Sequence, residues 1–360
     1  MLATWHFHIE ISSKCTLRCP RCARQEVPDT LVNTELDLDF FTRNFTPDFI
    51  KSNVEKITFC GDDGDPIYAH DLLPVIEYIK SVKNVEIVII TNGSHKKLEW
   101  WTQLGKLLTY KDSVHFSIDG YDNESNNLYR VNSNWDSIIK GVKIMANHSD
   151  CHVYWAAIVF KFNQEQLDYI TRIAKEYGCD GLQLTYSTKF GSKYGETYGG
   201  ESDALEPSSE FISKTHRYER YFKPLSDRVL DNNDYINHNT NLYEDVKGKY
   251  NKFITPMCLI GNRGLFVNAE QTLFPCSWTS FPYESLGTER KSIKFNDSFF
   301  SMYRDQLNLK THGIDKVLNN SLWDKFFNSL NNHSCAWVEC EQKCHTSLVD
   351  HDYAVGWLTN

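Results

Sequence analysis

Residues 5–22 read WHFHIEISSKCTLRCPRC, and this stretch decides the fold because it joins an alternating segment to a cysteine-rich one. Trp5, Phe7, Ile9 and Ile11 alternate with two histidines and a glutamate. Strict alternation of apolar and polar residues is typical of a β-strand. Three cysteines follow with the spacing C-x3-C-x2-C. The chain therefore opens with a strand whose carboxyl end carries a cluster of thiols.

The first half of the chain repeats the order strand, then helix. We expect strands near residues 56–60, 85–90, 114–119, 153–160 and 182–186, with helices over 72–82, 135–147 and 164–177. Repeated β–α units of this length predict a parallel sheet with crossover helices, either open or closed into a barrel. In such folds the chemistry is located at the carboxyl ends of the strands.

Composition excludes several classes of protein. The chain has 360 residues, enough for two or three domain-sized units, and its 38 basic and 47 acidic residues give a net charge of −9. This balance argues against nucleic-acid and membrane partners. The sequence contains no run of 18 apolar residues, so it predicts no transmembrane helix. The amino-terminal residues do not resemble a secretory signal, so we expect a cytoplasmic protein.

Eleven cysteines, an odd number, exclude a fully paired set of disulfides. In a reducing compartment, clustered cysteines more often bind metal. Cys15, Cys19 and Cys22 suit three irons of a 4Fe–4S cluster, and the absence of a nearby fourth cysteine leaves one iron open. The alternative is a zinc knuckle, although structural zinc sites usually have a fourth Cys or His ligand.

The three-cysteine motif after the first strand resembles the signature of the radical S-adenosylmethionine (radical SAM) superfamily. The resemblance covers about residues 5–190. It implies an α/β fold, with a partial (β/α)6 TIM barrel over residues 1–190. It also implies that the open iron binds S-adenosylmethionine. An electron from the cluster would cleave this cofactor to a 5′-deoxyadenosyl radical, which takes a hydrogen atom from the substrate.

Later strand ends carry further parts of the same resemblance. The segment CGDDGDP (60–66) looks like the family's Gly-Gly-Glu-Pro segment, with Asp65 where the family commonly has Glu. Thr91-Asn92 and Ser117-Ile118-Asp119 follow the next two strands. The resemblance implies cofactor-binding roles for Gly61, Gly64, Asp65, Pro66, Thr91, Asn92, Ser117, Asp119 and Arg130.

A second group of cysteines lies near the carboxyl end, namely Cys258, Cys276, Cys335, Cys340 and Cys344. With the hairpin-like segment 265–274, they resemble the SPASM/twitch extension of radical SAM enzymes. Five cysteines suffice for one auxiliary 4Fe–4S cluster, which fits the small twitch form. The sequence does not determine which four of the five cysteines bind this cluster. A zinc ribbon is the alternative, because four soft ligands also suit zinc. We expect a connector of helices and loops over residues 191–254, the twitch domain over 255–350 and a tail over 351–360.

The remaining cysteines have no metal role in this scheme. Cys151 and Cys179 are expected to be buried as small apolar residues, and Cys60 adjoins the predicted cofactor site.

The polar face of the first strand should point into the barrel, where ligands bind. We therefore expect Glu10 and His8 to be catalytic, together with His115 on a neighbouring strand and Arg130. The alternative is that these groups hydrogen-bond one another or the backbone.

The expected function is that of a radical SAM oxidoreductase acting on a polar small molecule. The auxiliary cluster would aid a net oxidation, and flavodoxin or ferredoxin would donate electrons. One alternative is a peptide-modifying SPASM-type maturase. Another is a zinc-binding module without catalysis.

Overall fold

The computed structural model describes residues 5–26, 31–185, 187, 190, 203–208, 217–221, 264–280, 299–330 and 340. The strands of this part are β1 (Trp5–Ile9), β2 (Val54–Phe59), β3 (Glu86–Thr91), β4 (Ser113–Ser117), β5 (His152–Ile158), β6 (Gly181–Thr185), β7 (Arg217–Tyr221), β8 (Gly264–Val267) and β9 (Leu273–Phe274).

Helices connect the strands and extend the fold after β9. They are α1 (Ala23–Glu26), α2 (Leu38–Asn44), α3 (Pro47–Asn53), α4 (Leu72–Val82), α5 (Leu98–Leu107), α6 (Asn123–Asn127), α7 (Trp135–His148), α8 (Leu167–Glu176), α9 (Phe299–Met302), α10 (Leu309–His312), α11 (Ile314–Leu318) and α12 (Leu322–Ser329). The predicted helix over 72–82 has the bounds of α4, whereas α2, α3 and α5 were not predicted.

All nine strands of the described residues belong to one sheet, in the order β7-β6-β5-β4-β3-β2-β1-β8-β9. Strands β1 to β6 are parallel and adjacent in chain order. This sequential order is that of a (β/α) barrel. Strands β1 and β6 have different outer neighbours and do not pair with each other, so the sheet is open. The α/β fold is confirmed, and it is consistent with a partial TIM barrel.

The apolar face of β1 packs outward against helices, as its alternation predicts. Phe7 is fully buried, and its ring centroid lies 5.0 Å from that of Phe45 and 6.1 Å from that of Phe49 in α3. Asp37 and Thr46 accept backbone hydrogen bonds at the starts of α2 and α3, which fixes the first turn of each helix. The polar face of β1 is thereby left to the interior of the half-barrel.

Two strands differ from the expected organisation. Residues 217–221, in the expected connector of helices and loops, form β7, which pairs antiparallel with β6. The predicted hairpin over 265–274 does form, but β8 pairs parallel with β1 in the same sheet. Both strands supply hydrogen bonds to the backbone of a strand that would otherwise be an edge. The domain boundaries themselves stay predictions.

The hydrophobic core continues from the sheet into the helices that follow β9. Phe274 of β9 contacts Phe300, and Phe300 contacts Phe326 of α12. In the part of the chain that the structure describes, no helix has the length and apolar character needed to cross a membrane.

Candidate functional site

The cysteine loop follows β1 and rests on the segment after β4. Cys19 is buried, whereas Cys15 and Cys22 are half-buried. The backbone N–H of Arg18 donates to the carbonyl of Val131 at 3.0 Å. Leu17 packs with Cys19 in a small apolar cluster. The backbone of the cysteine loop is therefore held in place by a hydrogen bond to a residue more than 100 positions later in the chain.

Hydrogen-bond donors surround the sulfur atoms. Asn92 Nδ2 lies 3.7 Å from Cys15 Sγ, the backbone N of Leu17 lies 3.4 Å from the same sulfur, and the positive charge of Arg130 acts to lower the pKa of Cys19. Burial raises the pKa of Cys15 to about 12 and that of Cys19 to about 11. Such thiols ionise only when a bound metal supplies positive charge. Three soft ligands with N–H donors beside them fit an iron–sulfur cluster.

Among the described residues, no three His, Cys, Asp or Glu side chains form a group that could hold one metal ion. This finding concerns single ions, whereas each cysteine of a 4Fe–4S cluster binds a different iron.

The loop after β2 brings Asp65 into contact with Thr91 and Asn92 at the end of β3. Oδ2 of Asp65 accepts from the backbone N and from Nδ2 of Asn92, both at 2.6 Å. Oδ1 accepts from Oγ1 of Thr91 at 2.7 Å and from the backbone N of Ile67 at 3.1 Å. Burial raises the pKa of Asp65, and these hydrogen bonds oppose the rise. Its carboxylate thus holds the end of β3, while Pro66 begins a short 3₁₀-helix.

Gly61 and Gly64 allow the loop after β2 to approach the cysteine loop closely. A Cβ at Gly64 would lie 1.9 Å from the carbonyl oxygen of Ser12, and one at Gly61 would lie 2.9 Å from Oε1 of Glu10. Only glycine avoids these contacts. The sequence predicted both glycines as cofactor-binding residues, and the described contacts give them a backbone-packing role.

Glu10 and Arg24 fasten the same loop. Oε1 of Glu10 accepts from the backbone N of Asp63 at 2.7 Å and of Gly64 at 3.2 Å. Burial, together with Asp63 and Asp62, raises the pKa of Glu10 well above its usual range. Arg24 donates to the carbonyl oxygens of Ser13 and Asp63. These contacts favour a positioning role for Glu10, and its predicted catalytic role stays a prediction.

Asp119, which is fully buried, forms an ion pair with the half-buried Arg130 at the carboxyl end of β4. Nε of Arg130 lies 2.5 Å from Oδ2 of Asp119, while Oδ1 accepts from the backbone N of Ile158 at 2.7 Å. Asn126 Oδ1 accepts from the backbone N of Asp119, and Asn163 Nδ2 donates to its carbonyl. The pair places the Arg130 guanidinium beside Cys19. Neither asparagine was singled out by the sequence analysis.

A cavity of about 230 Å³ lies inside the half-barrel beside this pair. Its polar lining comprises His115, Ser117, Arg130, Gln183 and Thr185. Nδ1 of His115 lies 2.8 Å from Oε1 of Gln183, and its Nε2 lies 3.0 Å from Oγ of Ser113. Three predicted site residues therefore meet at one cavity. Gln183 and Thr185 were missed, although their alternation along β6 places them on the inward face.

His8 does not line this cavity. Its Nε2 lies 3.2 Å from the carbonyl oxygen of Cys60, and its ring contacts Phe266. Burial lowers the pKa of His8 to about 4, so the ring is neutral at physiological pH and donates from Nε2 to that carbonyl. The predicted catalytic role of His8 stays a prediction.

The carboxyl-terminal cysteines are described only in part. Cys276 follows β9 and is half-buried, and Cys340 is buried. Cys258, Cys335 and Cys344 lie outside the described residues. Cys151 and Cys179 are buried as predicted, whereas Cys60 is half-buried beside the loop after β2.

Comparisons with known proteins agree with this site. Residues 9–168 match the sequence model described as the radical SAM superfamily. The subtilosin biosynthesis protein AlbA of Bacillus subtilis (strain 168) is 23% identical over 190 residues, which are 52% of this chain and 40% of AlbA. Molybdenum cofactor biosynthesis protein 1 of Dictyostelium discoideum is 27% identical over 141 residues, which are 38% of this chain and 21% of that protein.

Among solved structures, Streptococcus suis SuiB bound to S-adenosylmethionine has a TM-score of 0.51 at 14% identity, over 93% of this chain and 77% of SuiB. This likeness concerns the fold. The matches to AlbA and to the Dictyostelium protein each span less than half the length of that relative. The position of the cysteine loop after β1 and the order of the parallel strands agree with the match of residues 9–168 to the radical SAM superfamily model.

Proposed function

We propose that this protein is a radical SAM enzyme that modifies a peptide. The observation that carries the proposal is the arrangement at the cysteine loop, where Cys15 meets Asn92 and Cys19 meets Arg130 beside an open cavity. A cluster bound there would supply the electron that cleaves S-adenosylmethionine to a 5′-deoxyadenosyl radical for hydrogen abstraction. This chain's residues position the thiols and form the cavity walls.

The residues of the site have distinct roles in this proposal. Asp65 holds Asn92 against the cysteine loop, and Asp119 holds Arg130 against it. Positioning groups of this kind, locked by hydrogen bonds, keep a reactive site in one geometry. The cofactor-binding roles of Gly61, Gly64, Asp65, Pro66, Thr91, Asn92, Ser117, Asp119 and Arg130 remain part of this proposal.

A peptide substrate is favoured by the match to AlbA, which is named as a bacteriocin biosynthesis protein. The second candidate is oxidation of a polar small molecule, which the match to a molybdenum cofactor biosynthesis protein favours.

The proposal includes one auxiliary 4Fe–4S cluster in a twitch-type segment that contains Cys276 and Cys340. It also includes an electron donor such as flavodoxin or ferredoxin and a cytoplasmic location.

Metal and nucleoside analysis tests the proposal. Anaerobically reconstituted protein should contain about eight irons and eight sulfides, as two 4Fe–4S clusters require. Replacing Cys15, Cys19 and Cys22 with Ala should abolish 5′-deoxyadenosine formation and leave roughly half of the iron. Cys151→Ala, which removes a buried thiol far from the loop, is the matched control. This variant should keep both 5′-deoxyadenosine formation and the full iron content. Zinc without sulfide, or undiminished nucleoside release from the triple variant, would contradict the proposal.

A further inference from the structure

The cysteine loop has one covered side and one open side. On the covered side, the side chain of Arg21 is only 4% exposed and pairs with Asp203 at 2.6 Å. Thr16 and Arg18, which lie between the first two cysteines of the loop, are exposed instead. A protein that approaches the described part of the loop from solvent therefore meets it at Thr16 and Arg18.

The segment after β4 extends this open side. Tyr129 is buried in the apolar cluster around the loop, and Arg130 lines the cavity of the half-barrel. The residues on either side of them, Leu128 and Val131, are 52% and 38% exposed. Because the carbonyl of Val131 accepts from the backbone N–H of Arg18, these apolar side chains lie beside the exposed loop residues.

The loop after β3 completes the same surface. Asn132 Nδ2 donates to the carbonyl oxygen of Thr16 at 2.8 Å, and Nε2 of His95 lies 3.0 Å from the carbonyl oxygen of Asn132. His95 and Asn132 both have left-handed backbone conformations, with φ of 65° and 73°. Such conformations persist only where the surrounding contacts fix them, so this surface is preformed. It is named the open face, and it comprises Thr16, Arg18, His95, Lys97, Leu128 and Val131.

The open face is basic, although the whole chain has a net charge of −9. Arg18 and Lys97 are exposed, and Nζ of Lys96 lies 4.8 Å from the ring centroid of Trp100. Within the part of the chain that the structure describes, none of these three cations is paired with an acidic side chain. An acidic partner is repelled by the chain as a whole and attracted by this surface, which directs it to the open face.

A partner bound to the open face contacts the cysteine loop without entering the cavity. Leu128 and Val131 are exposed to it, whereas Arg130 between them lines the cavity. Transfer of an atom requires the two reacting atoms to approach directly, which the intervening segment prevents. Transfer of an electron forms no bond and needs no such approach. The open face therefore suits a protein that delivers electrons better than it suits the substrate.

We propose that the open face docks a small acidic electron-carrier protein, which reduces the cluster proposed at Cys15, Cys19 and Cys22. In each encounter the reduced carrier loses one electron and the cluster gains it, with no bond to the cluster formed or broken. Electron-transfer complexes are typically weak and bury less than about 1,200 Å², so a small surface suffices. The need for an electron rests on the proposed function, whereas the place of docking rests on the exposure and charge of the open face.

Binding of oxidised flavodoxin, an acidic flavin carrier, to the reconstituted full chain tests this inference without turnover. In calorimetric titrations at low salt, the double variant Arg18→Glu/Lys97→Glu should bind about tenfold more weakly, because two attractions become repulsions. Lys106→Glu/Lys111→Glu makes the same change of charge at the far end of α5 and should bind like the unaltered chain. At 1 M salt, where charges are screened beyond about 3 Å, the variants should differ by less than about twofold.

A second pair of variants tests the apolar part of the open face. Leu128→Asp should weaken flavodoxin binding, because it removes apolar contact and adds a like charge. Tyr110 is 60% exposed and precedes β4, at the opposite edge of the sheet, so Tyr110→Asp is the matched control and should leave binding unchanged. Circular dichroism, melting and iron content should stay native in all four variants.

Nucleoside formation separates this inference from the proposed function. With dithionite, a chemical reductant that needs no docking surface, Arg18→Glu/Lys97→Glu should form 5′-deoxyadenosine as fast as the unaltered chain. With reduced flavodoxin at low concentration it should be slower by about the tenfold loss of binding. Equal binding by both double variants, or no binding of either flavodoxin or a 2Fe–2S ferredoxin, would overturn the inference. Absence of nucleoside with dithionite, while carrier binding follows the open face, contradicts the proposed function alone.

Discussion

At the scale of single residues, buried carboxylates hold the loops of this site in place. Glu10, Asp65 and Asp119 each accept a hydrogen bond from the backbone of a segment that lies elsewhere in the chain. A buried carboxylate is favourable only when its oxygens accept several hydrogen bonds. Residue type and position at a strand end predicted these acids as site residues. Their partners Asp63, Asn92 and Ile158 lie 53, 27 and 39 residues away, so the spacing of the sequence could not reveal them.

Glu10 should make stability depend on pH. Its pKa is raised in the folded protein, first by burial, whereas the unfolded chain titrates near 4.5. Above pH 4.5 the folded protein keeps a proton that the unfolded chain has lost, so the free energy of unfolding falls as pH rises towards the folded pKa. Glu10→Gln should flatten this fall in urea titrations at several pH values. Glu99→Gln, an exposed control on α5, should not. An unchanged slope in Glu10→Gln would contradict the assignment.

At the scale of elements, a short segment after β6 closes over the cysteine loop. Arg21 of the loop pairs with Asp203 at 2.6 Å, and their side chains are 4% and 1% exposed. Leu205 packs against the apolar cluster around Cys19, and its carbonyl accepts from Lys161. This segment lies within the predicted connector of helices and loops over residues 191–254. Its role depends on a contact across 182 residues, which no local pattern encodes.

Asp203→Ala should destabilise the protein by about 3–5 kcal/mol, because it leaves Arg21 buried without its carboxylate. Iron should also be lost faster in air, since the segment would no longer cover the cysteine loop. Asp39 pairs with Arg43 at 2.8 Å on the surface of α2, and Asp39→Ala should cost less than about 1 kcal/mol. Urea unfolding and timed iron release compare the two variants. Equal losses in both would refute the covering role.

At the scale of the whole molecule, the sheet does not stop at the first strand. β8 pairs with β1, and Glu10 donates its backbone N–H to Val267 at 2.9 Å. A segment from the carboxyl-terminal third of the chain thus covers the strand that begins the barrel. The parallel strands β1 to β6 and the hairpin of β8 and β9 share one hydrophobic core.

A chain that ends after Tyr221 retains β1 to β7 but lacks β8 and β9. It should form oligomers or precipitate, because the backbone of β1 becomes an open edge and apolar residues beneath the hairpin become exposed. Size-exclusion chromatography of the truncated chain beside the full chain measures its oligomeric state. A monodisperse monomer with native-like circular dichroism would show instead that the barrel strands are independent of the hairpin.

Local pattern alone determined much of this protein. Alternation in β1, the C-x3-C-x2-C spacing and the polar residues at strand ends predicted the parallel sheet and the position of Cys15, Cys19 and Cys22. These features repeat over a few residues, so neighbours in the chain suffice to specify them. Tertiary structure alone decided that β8 would pair with β1 and that Gln183 would face the same space as Ser117. Such contacts depend on packing and hydrogen bonding between segments far apart in the chain, which periodicity does not record.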